Sequence, residues 1–384
     1  MRPLEEITVV SLEHAIAAPF ATRQLADLGA RVIKIERPGG GDFARAYDER
    51  VHGMASHFVW CNRSKESIEL DLKTDLGKEA LSRLVDRADV LVQNLAPGAA
   101  ERLGLSYASL SPHRPELIVC DISGYGQDGP HRDRKAYDLL IQSESGFLSV
   151  TGTPDEIVKG GCSIADIAAG MYAYGNILAA LIERRKTGLG RHIDISMLEA
   201  MAEWMGFPLY YSFGGGTPPP RTGAHHATIF PYGPFKTADG EILLAIQNER
   251  EWASFCASVL LEPGLAKDQR FDTNSNRSAH RDELSPLICA KLETIDSETA
   301  IRLLDDANIA NARVNDMSGL WTHPQLSARD RWREVATPMG PIPALLPPGQ
   351  IDARMDPVPA AGAHTQALLD EIGLGEAPVC PVQT

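Results

Sequence analysis

From residue 7 to residue 126, short apolar runs alternate with longer amphipathic stretches. ITVVSL (7–12), RVIKIE (31–36), SIELDL (67–72), DVLVQNL (89–95) and ELIVCDISGYG (116–126) are rich in β-branched residues, which predicts strands. Between them PFATRQLADLGA (19–30), TDLGKEALSRLVDRA (74–88) and AAERLGL (99–105) place apolar residues at helical spacing. RHIDISM (191–197) repeats the strand pattern and LEAMAEWMGFPLYYSF (198–213) the helical one. Strands alternating with helices predict an α/β fold with a Rossmann-like, doubly wound parallel sheet, and ligands at the carboxyl ends of its strands.

The stretch GGCSIADIAAGMYAYGNILAALIERRKTG (160–188) reads as a long helix with one carboxylate in its first turn. Ile164, Ile167, Met171, Tyr174, Leu178 and Leu181 form a stripe at three-and-four spacing that would face a core. Asp166 lies on a different stripe, above Gly170, Ala173 and Asn176, whose small side chains would let a bulky group approach. Two readings of Asp166 stand. It forms a capping pair with Ser163 and complements the helix dipole, or it is a carboxylate nucleophile held ionised by the helix end.

Beyond that helix the pattern changes. GGGTPPPRTG (214–223) is a linker or mobile loop, and FPYGPFKTADGEILLAI (230–246) predicts a hairpin turning at Asp239 and Gly240. Helices near 250–260, 278–293 and 297–306 complete a smaller α+β unit, and a Pro-rich run from residue 347 leads into a short terminal helix. The expected organisation is a large domain over 1–215, a small domain over 225–320, and a C-terminal segment over 321–384 that returns to the large one.

Composition narrows the function classes. With 384 residues, 43% hydrophobic and 23% charged, the chain is an ordinary globular one with room for two domains. A net charge of −14 argues against nucleic-acid binding but leaves room for a local phosphate site. No run of about 18 uncharged apolar residues suggests a membrane span, and the acidic opening MRPLEEITVV does not resemble a signal peptide. The six cysteines (61, 120, 162, 256, 289 and 380) are scattered without a CxxC pair, which predicts buried thiols in a reducing cytoplasm. Cys162, close to Asp166, reads as a small buried filler, with a nucleophile as the alternative reading.

Glu36 ends the second strand, where a ribose-binding acid would stand, yet the preceding turn reads HAIAAP (14–19) and carries no GxGxxG. A nicotinamide oxidoreductase is therefore disfavoured. GGGD (39–42) is an ordinary glycine turn. The adjacent His225 and His226 cannot readily face one ion, so no metal site is expected. No GxSxG elbow supports a hydrolase.

Several segments, in order, resemble the class III coenzyme A transferases, the CaiB/BaiF family that includes formyl-CoA transferase and α-methylacyl-CoA racemase. They are LADLGARVIKIERPGGGDFAR, NRSKESIELDLK, ADVLVQNLAPGAAERLGL, ISGYGQDGP, the AYD at 136–138, SIADIAAGMYAYGNILAAL, RRKTGLGRHIDISM, PYGPFKTADGE and AGAHTQALLDEIGL. The resemblance implies that Asp166, in an Asp-x-x-x-Gly with Gly170, is the catalytic nucleophile, forming an anhydride and then an aspartyl-CoA thioester. It also implies an interlocked-ring homodimer, a CoA site at Arg37, Leu72, Asn94, Arg102, Lys135 and Tyr137, and acyl-CoA as substrate with no tightly bound cofactor. Taken alone, Arg37 and Arg102 would read as solvated surface and Tyr137 as a half-buried aromatic.

In the racemase branch a His precedes the acid equivalent to Asp138. Here Tyr137 stands there, which favours CoA transfer over α-proton transfer. Asp138 reads either as a helper carboxylate or as a helix cap. KAYDLLIQSESGFLSVTGTP is most similar to transferases acting on C4 to C5 dicarboxylic acids, and Arg221, His225 and His226 are candidate ligands for a second carboxylate. A non-catalytic CoA-binding protein is the remaining alternative, and it would not need Asp166.

Overall fold

The structure is a computed structural model that describes residues 1–375; Cys380 lies outside them. Its contacts divide the chain into two compact units, one made of 1–146, 160–206 and 326 onward, the other of 147–159 and 207–325. Both ends of the described chain thus belong to the first unit. Residues 147–159, expected from the sequence in the large domain, cluster with the second unit. There a bridge pairs Gly152 with Ile157, and Arg221 donates to the carbonyls of Thr153 and Pro154.

The first unit is built on six strands: β1 (Thr8–Leu12), β2 (Arg31–Glu36), β3 (Lys65–Glu69), β4 (Val90–Gln93), β5 (Ile118–Ser123) and β6 (His192–Ser196). They pair in the order β3-β2-β1-β4-β5-β6, every pairing parallel. That is the doubly wound order expected from the alternating pattern, with its switch point between β1 and β4. Val10, Leu12, Ile33, Ile35, Ile68 and Leu91 face one hydrophobic cluster, while the alternate residues Val9, Val32, Val90 and Val92 are buried as well. Both faces of the sheet are therefore covered, which is why these strands read as nearly continuous apolar runs.

The helices that matter for the site are α1 (Ala17–Asp27), α2 (Asp75–Val85), α3 (Asp138–Glu144), α4 (Ile164–Thr187), α5 (Met197–Trp204) and α6 (Thr365–Glu371). α2 and α6 contribute Leu81, Leu84, Leu368 and Leu369 to the first cluster. The C-terminal segment also covers the β3 edge: His364 N donates to Ser67 O (2.9 Å) and Glu69 N donates to Thr365 Oγ1 (3.0 Å). An otherwise open edge is thereby closed.

α4 departs from its expected stripe. Met171 is exposed, and Ile164, Ile167, Tyr174 and Leu178 are only partly buried; the residues it buries are Ala165, Ala168, Ala169, Gly170, Ala173, Ile177, Ala180 and Leu181. The helix packs through its small side chains because α1 lies close against it. A Cβ at Gly170 would meet Ala17 O at 2.7 Å and Phe20 Cδ1 at 3.0 Å. The small stripe below Asp166 is thus closed by α1 at Gly170, and Ala173 is buried too, while Asn176 further along is exposed. By length and composition α4 is apolar enough to cross a membrane, but it contacts α1, β5 and β6.

The second unit centres on a three-stranded antiparallel sheet, β7 (Tyr232–Lys236), β8 (Glu241–Ala245) and β9 (Ala310–Arg313), in that order. The β7–β8 hairpin carries Asp239 and Gly240 in its loop as expected. Helices Arg281–Leu292 and Ser297–Asp306 bury Leu284, Ile288, Ala300 and Leu304 with Phe230, Phe235, Trp252 and Phe255. β9, and the β10 (Trp332–Val335) and β11 (Ile342–Leu345) hairpin of the first unit, have no clear sequence signal. Each is four residues long and mixes polar or proline positions into its run.

Candidate active site

Two backbone turns meet at the switch point. The side chain of Asn94, directly after β4, accepts from His14 N (2.8 Å) and donates to His14 O (2.9 Å), clamping the turn between β1 and α1. Ala15 in that turn has φ +59°, a left-handed conformation that costs a non-glycine residue energy unless its surroundings hold it. Asp42 supplies part of the hold: its Oδ1 accepts from Ala15 N (3.1 Å) and Ala44 N (2.9 Å), and its Oδ2 from Lys34 Nζ (2.8 Å).

Behind this turn lies a fully buried charge cluster. Glu13 Oε1 accepts from Lys65 Nζ (2.6 Å) and sits 3.3 Å from Lys34 Nζ, while its Oε2 accepts from Thr22 Oγ1 (2.6 Å). Burial alone would raise the Glu13 carboxyl; the ammoniums of Lys65 and Lys34 overcome it and hold the group at about 2. An aromatic row, His14, Phe43, Tyr47 and His57, runs along the surface from the same turn with centroids 5.3, 5.8 and 5.4 Å apart. Burial, then the charges of Asp42 and Asp166, push the Tyr47 phenol up to about 12.

Asp166 is the third residue of α4 and is partly buried. Ser163 makes no side-chain capping bond, so the expected capping pair does not form. The cap comes from Asp138 on α3: its Oδ1 accepts from Ala165 N (2.8 Å) and Asp166 N (3.2 Å). Among the described residues no hydrogen bond reaches the Asp166 carboxyl oxygens. Burial and then the negative charge of Asp138 push its carboxyl up to about 7. The helix end therefore does not hold Asp166 ionised, because a second carboxylate has taken the amides that would have done so. Asp138 caps α4 and not its own helix.

The match to known proteins decides the family. Residues 4–365 match the family model described as CoA-transferase family III. The succinate–glutarate CoA-transferase of Agrobacterium fabrum is 35% identical over 96% of this chain and 96% of its own length. The succinyl-CoA:mesaconate CoA-transferase of Haloarcula hispanica is 33% identical over 98% of both. The crystal structure of a CaiB/BaiF family protein from Brucella suis superposes with TM-score 0.85 at 33% identity, covering 97% of this chain and 99% of that one. The chain belongs to CoA-transferase family III.

The residues the resemblance assigns to CoA all lie in connections that follow strand carboxyl ends of this family III sheet, Arg102 in the one after β4. Arg37 comes directly after β2, Leu72 shortly after β3, Asn94 directly after β4, and Lys135 and Tyr137 lie in the connection that follows β5. Arg37 is exposed, with Nε on Gly41 O (3.2 Å). Leu72 is partly buried against the sheet cluster. The Asn94 amide is occupied by His14. Lys135 is exposed, and Tyr137 is 67% exposed at the amino end of α3, so it is no core aromatic. Arg102 is exposed and lines a shallow cavity of about 170 Å³ with Lys78, Ser82, Leu103 and Leu110.

The three candidate acceptor ligands all lie in the second unit. Arg221 spends Nε on Thr153 O (2.7 Å) and Nη2 on Pro154 O (2.8 Å), which leaves Nη1 for any other partner. His226 Nδ1 accepts from Ile229 N (3.1 Å) and Thr228 N (3.2 Å), so its ring offers a donor only at Nε2. Burial, then Arg281, lowers the His225 imidazole. Among the described residues no cluster of His, Cys, Asp or Glu could hold a metal. Cys162, expected to be buried, is exposed; Cys61, Cys120 and Cys256 are buried thiols, and burial pushes Cys61 up to about 12.

Sequence reasoning missed Glu13, Lys34, Lys65, Asp42 and Gln142. A charge inside an apolar strand, as at Lys34 in RVIKIE, is the signal that points to such a group, since a buried ammonium requires an acid nearby.

Proposed function

We propose that the chain transfers CoA between C4 to C5 dicarboxylic acids, with Asp166 as nucleophile. The carboxylate oxygen of Asp166 attacks the thioester carbonyl of the acyl-CoA; the C–S bond breaks, CoA leaves as thiolate, and a mixed anhydride remains. The thiolate attacks the Asp166 acyl carbon, releases the first acid as carboxylate, and forms an aspartyl-CoA thioester. The acceptor carboxylate attacks that carbon and expels the thiolate, which then attacks the acceptor carbonyl and regenerates Asp166. Each intermediate stays activated, so no proton or redox partner is consumed.

The observation that carries this reading is the Asp166 carboxyl at the start of α4, with no hydrogen bond on its oxygens among the described residues and a proton held only to about pH 7. A group kept as a cap would have those oxygens occupied. Full-length relatives named for succinate, glutarate and mesaconate support the dicarboxylate class. Arg37, Leu72, Asn94, Arg102, Lys135 and Tyr137 are proposed to hold CoA, the arginines serving its phosphates. Arg221 Nη1, His225 and His226 are proposed for the distal carboxylate of the acceptor. The working form is proposed to be a cytoplasmic, interlocked homodimer, supported by exposed Ile182 and Trp204 on the first unit and Tyr210 and Phe213 on the second.

Succinyl-CoA with glutarate, mesaconate, itaconate, malate or butyrate, followed by mass spectrometry, tests the proposal. The dicarboxylates should react roughly 10- to 100-fold faster than butyrate, which leaves the charged acceptor groups unmatched. Equal rates would overturn the dicarboxylate assignment and leave the nucleophile untouched.

A further inference from the structure

Gln142 is fully buried in α3, one turn after Asp138, and both ends of its amide are used. Its Nε2 donates to Asp138 Oδ2 (2.6 Å), and its Oε1 accepts from Gly160 N (2.8 Å). Asp138 Oδ1 in turn accepts from Ala165 N and Asp166 N. One continuous relay therefore joins the segment that leads into α4 to the first amides of α4 itself. The relay has a direction. Gly160 N can only donate, so Oε1 must face it; Nε2 must then face Asp138, whose carboxylate can only accept. An aliphatic side chain at 142 would remove both the donor to Asp138 Oδ2 and the acceptor for Gly160 N.

Resting on the reading of Asp166 as nucleophile, we infer that Gln142 is a positioning residue of the transfer reaction: it locks Asp138 across the amino end of α4 and so sets where the Asp166 carboxyl stands. Asp138 can rotate about χ1 and χ2 once Oδ2 loses its donor. Its Oδ1 would then leave the amides of residues 165 and 166, and those amides would become free to attract the Asp166 carboxylate inward. Gln142 thus keeps the nucleophile presented and its oxygens unbonded, without touching substrate.

The relay predicts a specific rescue. Asp138→Asn alone places an NH2 against the Gln142 NH2, two donors face to face. Adding Gln142→Glu restores the pattern. The amide oxygen introduced at position 138 accepts from α4, and the amide nitrogen there donates to one carboxylate oxygen introduced at position 142. The other carboxylate oxygen accepts from Gly160 N. The negative charge then sits one helical turn further along α3.

CoA exchange between succinyl-CoA and isotope-labelled succinate, measured from pH 5.5 to 8.5, tests this in the full chain. Gln142→Leu and Asp138→Asn should each lower kcat by about 10- to 100-fold, as misplaced reacting groups do, with KM for succinyl-CoA within about threefold. The double variant Asp138→Asn/Gln142→Glu should recover kcat to within about fivefold of the parent, since its hydrogen-bond pattern is intact, and its acid limb should lie at lower pH than the parent's. Retained kcat and an unchanged pH profile in Gln142→Leu would overturn the inference. So would a double variant no better than Asp138→Asn. If Gln142→Leu fails to fold, the double variant still decides through its kcat relative to Asp138→Asn, since both carry the same neutral residue at position 138 and only the double variant restores the hydrogen-bond pattern. Mass spectrometry of the parent quenched with succinyl-CoA separates the two levels: no adduct on Asp166 sinks the nucleophile reading, whereas an adduct with a silent Gln142 sinks only the relay.

Discussion

Two buried acid sites in the first unit meet opposite fates. Glu13 is fully enclosed, yet Lys65 and Lys34 hold its carboxyl at about 2. Asp166 is less enclosed, yet burial and then the charge of Asp138 push its carboxyl up to about 7. Burial acts in the same direction on both; the sign of the partner decides the result. At Glu13 the arrangement secures a turn. At Asp166 it leaves a carboxyl whose oxygens no hydrogen bond engages among the described residues, as the proposed nucleophile requires. The contrast predicts that changes at Asp166 harm chemistry and spare the fold, and that changes at Glu13 do the reverse.

The largest expected effect is on chemistry. Asp166→Ala should lower kcat for CoA exchange by about 10⁴-fold or more, as loss of a covalent nucleophile does, with an unchanged or raised melting temperature. A variant that unfolds instead would put Asp166 in the same class as Glu13.

The second effect is on stability. Glu13→Gln removes the shared partner of two buried ammoniums and should cost about 3–5 kcal/mol by urea titration. Glu13 also gives a pH signature. Its folded pKa lies below its ordinary 4.5, so it contributes stability above that value, which is lost as pH falls toward 2. A Glu13→Gln midpoint within experimental error of the parent would mean the lysines have another anchor.

How much of this contrast the sequence carried differs between the sites. The parallel sheet was legible, because Val9, Val10, Ile33 and Leu91 lie in runs that both faces of a parallel sheet require. Asp166 was legible through its resemblance to a family motif, and not through periodicity. The buried stripe of α4 was not legible: spacing rules weigh large apolar residues, and this helix packs through Ala and Gly against α1. Nor was the capping of α4 by Asp138, a contact between residues 27 and 28 positions apart that no local pattern encodes. The Glu13 and Lys65 pairing spans 52 positions and was equally silent.

A third, smaller effect reverses the stability sign. The folded pKa of Asp166, about 7, lies above its ordinary 3.8, so the folded state keeps a proton that the unfolded chain releases. Stability from this group therefore falls as pH rises from about 4 to about 7 and stays lower above that. Asp166→Asn removes the penalty and should raise stability on the order of 2 kcal/mol at pH 8, with little change at pH 4. Equal stabilities at both pH values would show that Asp166 ionises freely in the folded chain.

The smallest expected effect is the most direct readout of the Asp166 site. Only the carboxylate form attacks a thioester, so kcat/KM for succinyl-CoA should rise with pH through an apparent pKa near 7, the value the free enzyme carries. Between pH 6 and pH 8 the ionised fraction of such a group changes about tenfold, and kcat/KM should follow it. Glu13, held at about 2, contributes nothing in this window. The His14 and His225 imidazoles are lowered by burial, so their titration falls below the limb that Asp166 would produce. Solvent-exposed charges would shift the limb as salt screens them, whereas a limb set by burial and the adjacent Asp138 should move little between low salt and about 0.5 M. A profile flat from pH 5.5 to 8 would mean that Asp166 is already ionised, and that burial beside Asp138 does not separate it from the lysine-paired Glu13 in the way the contrast requires.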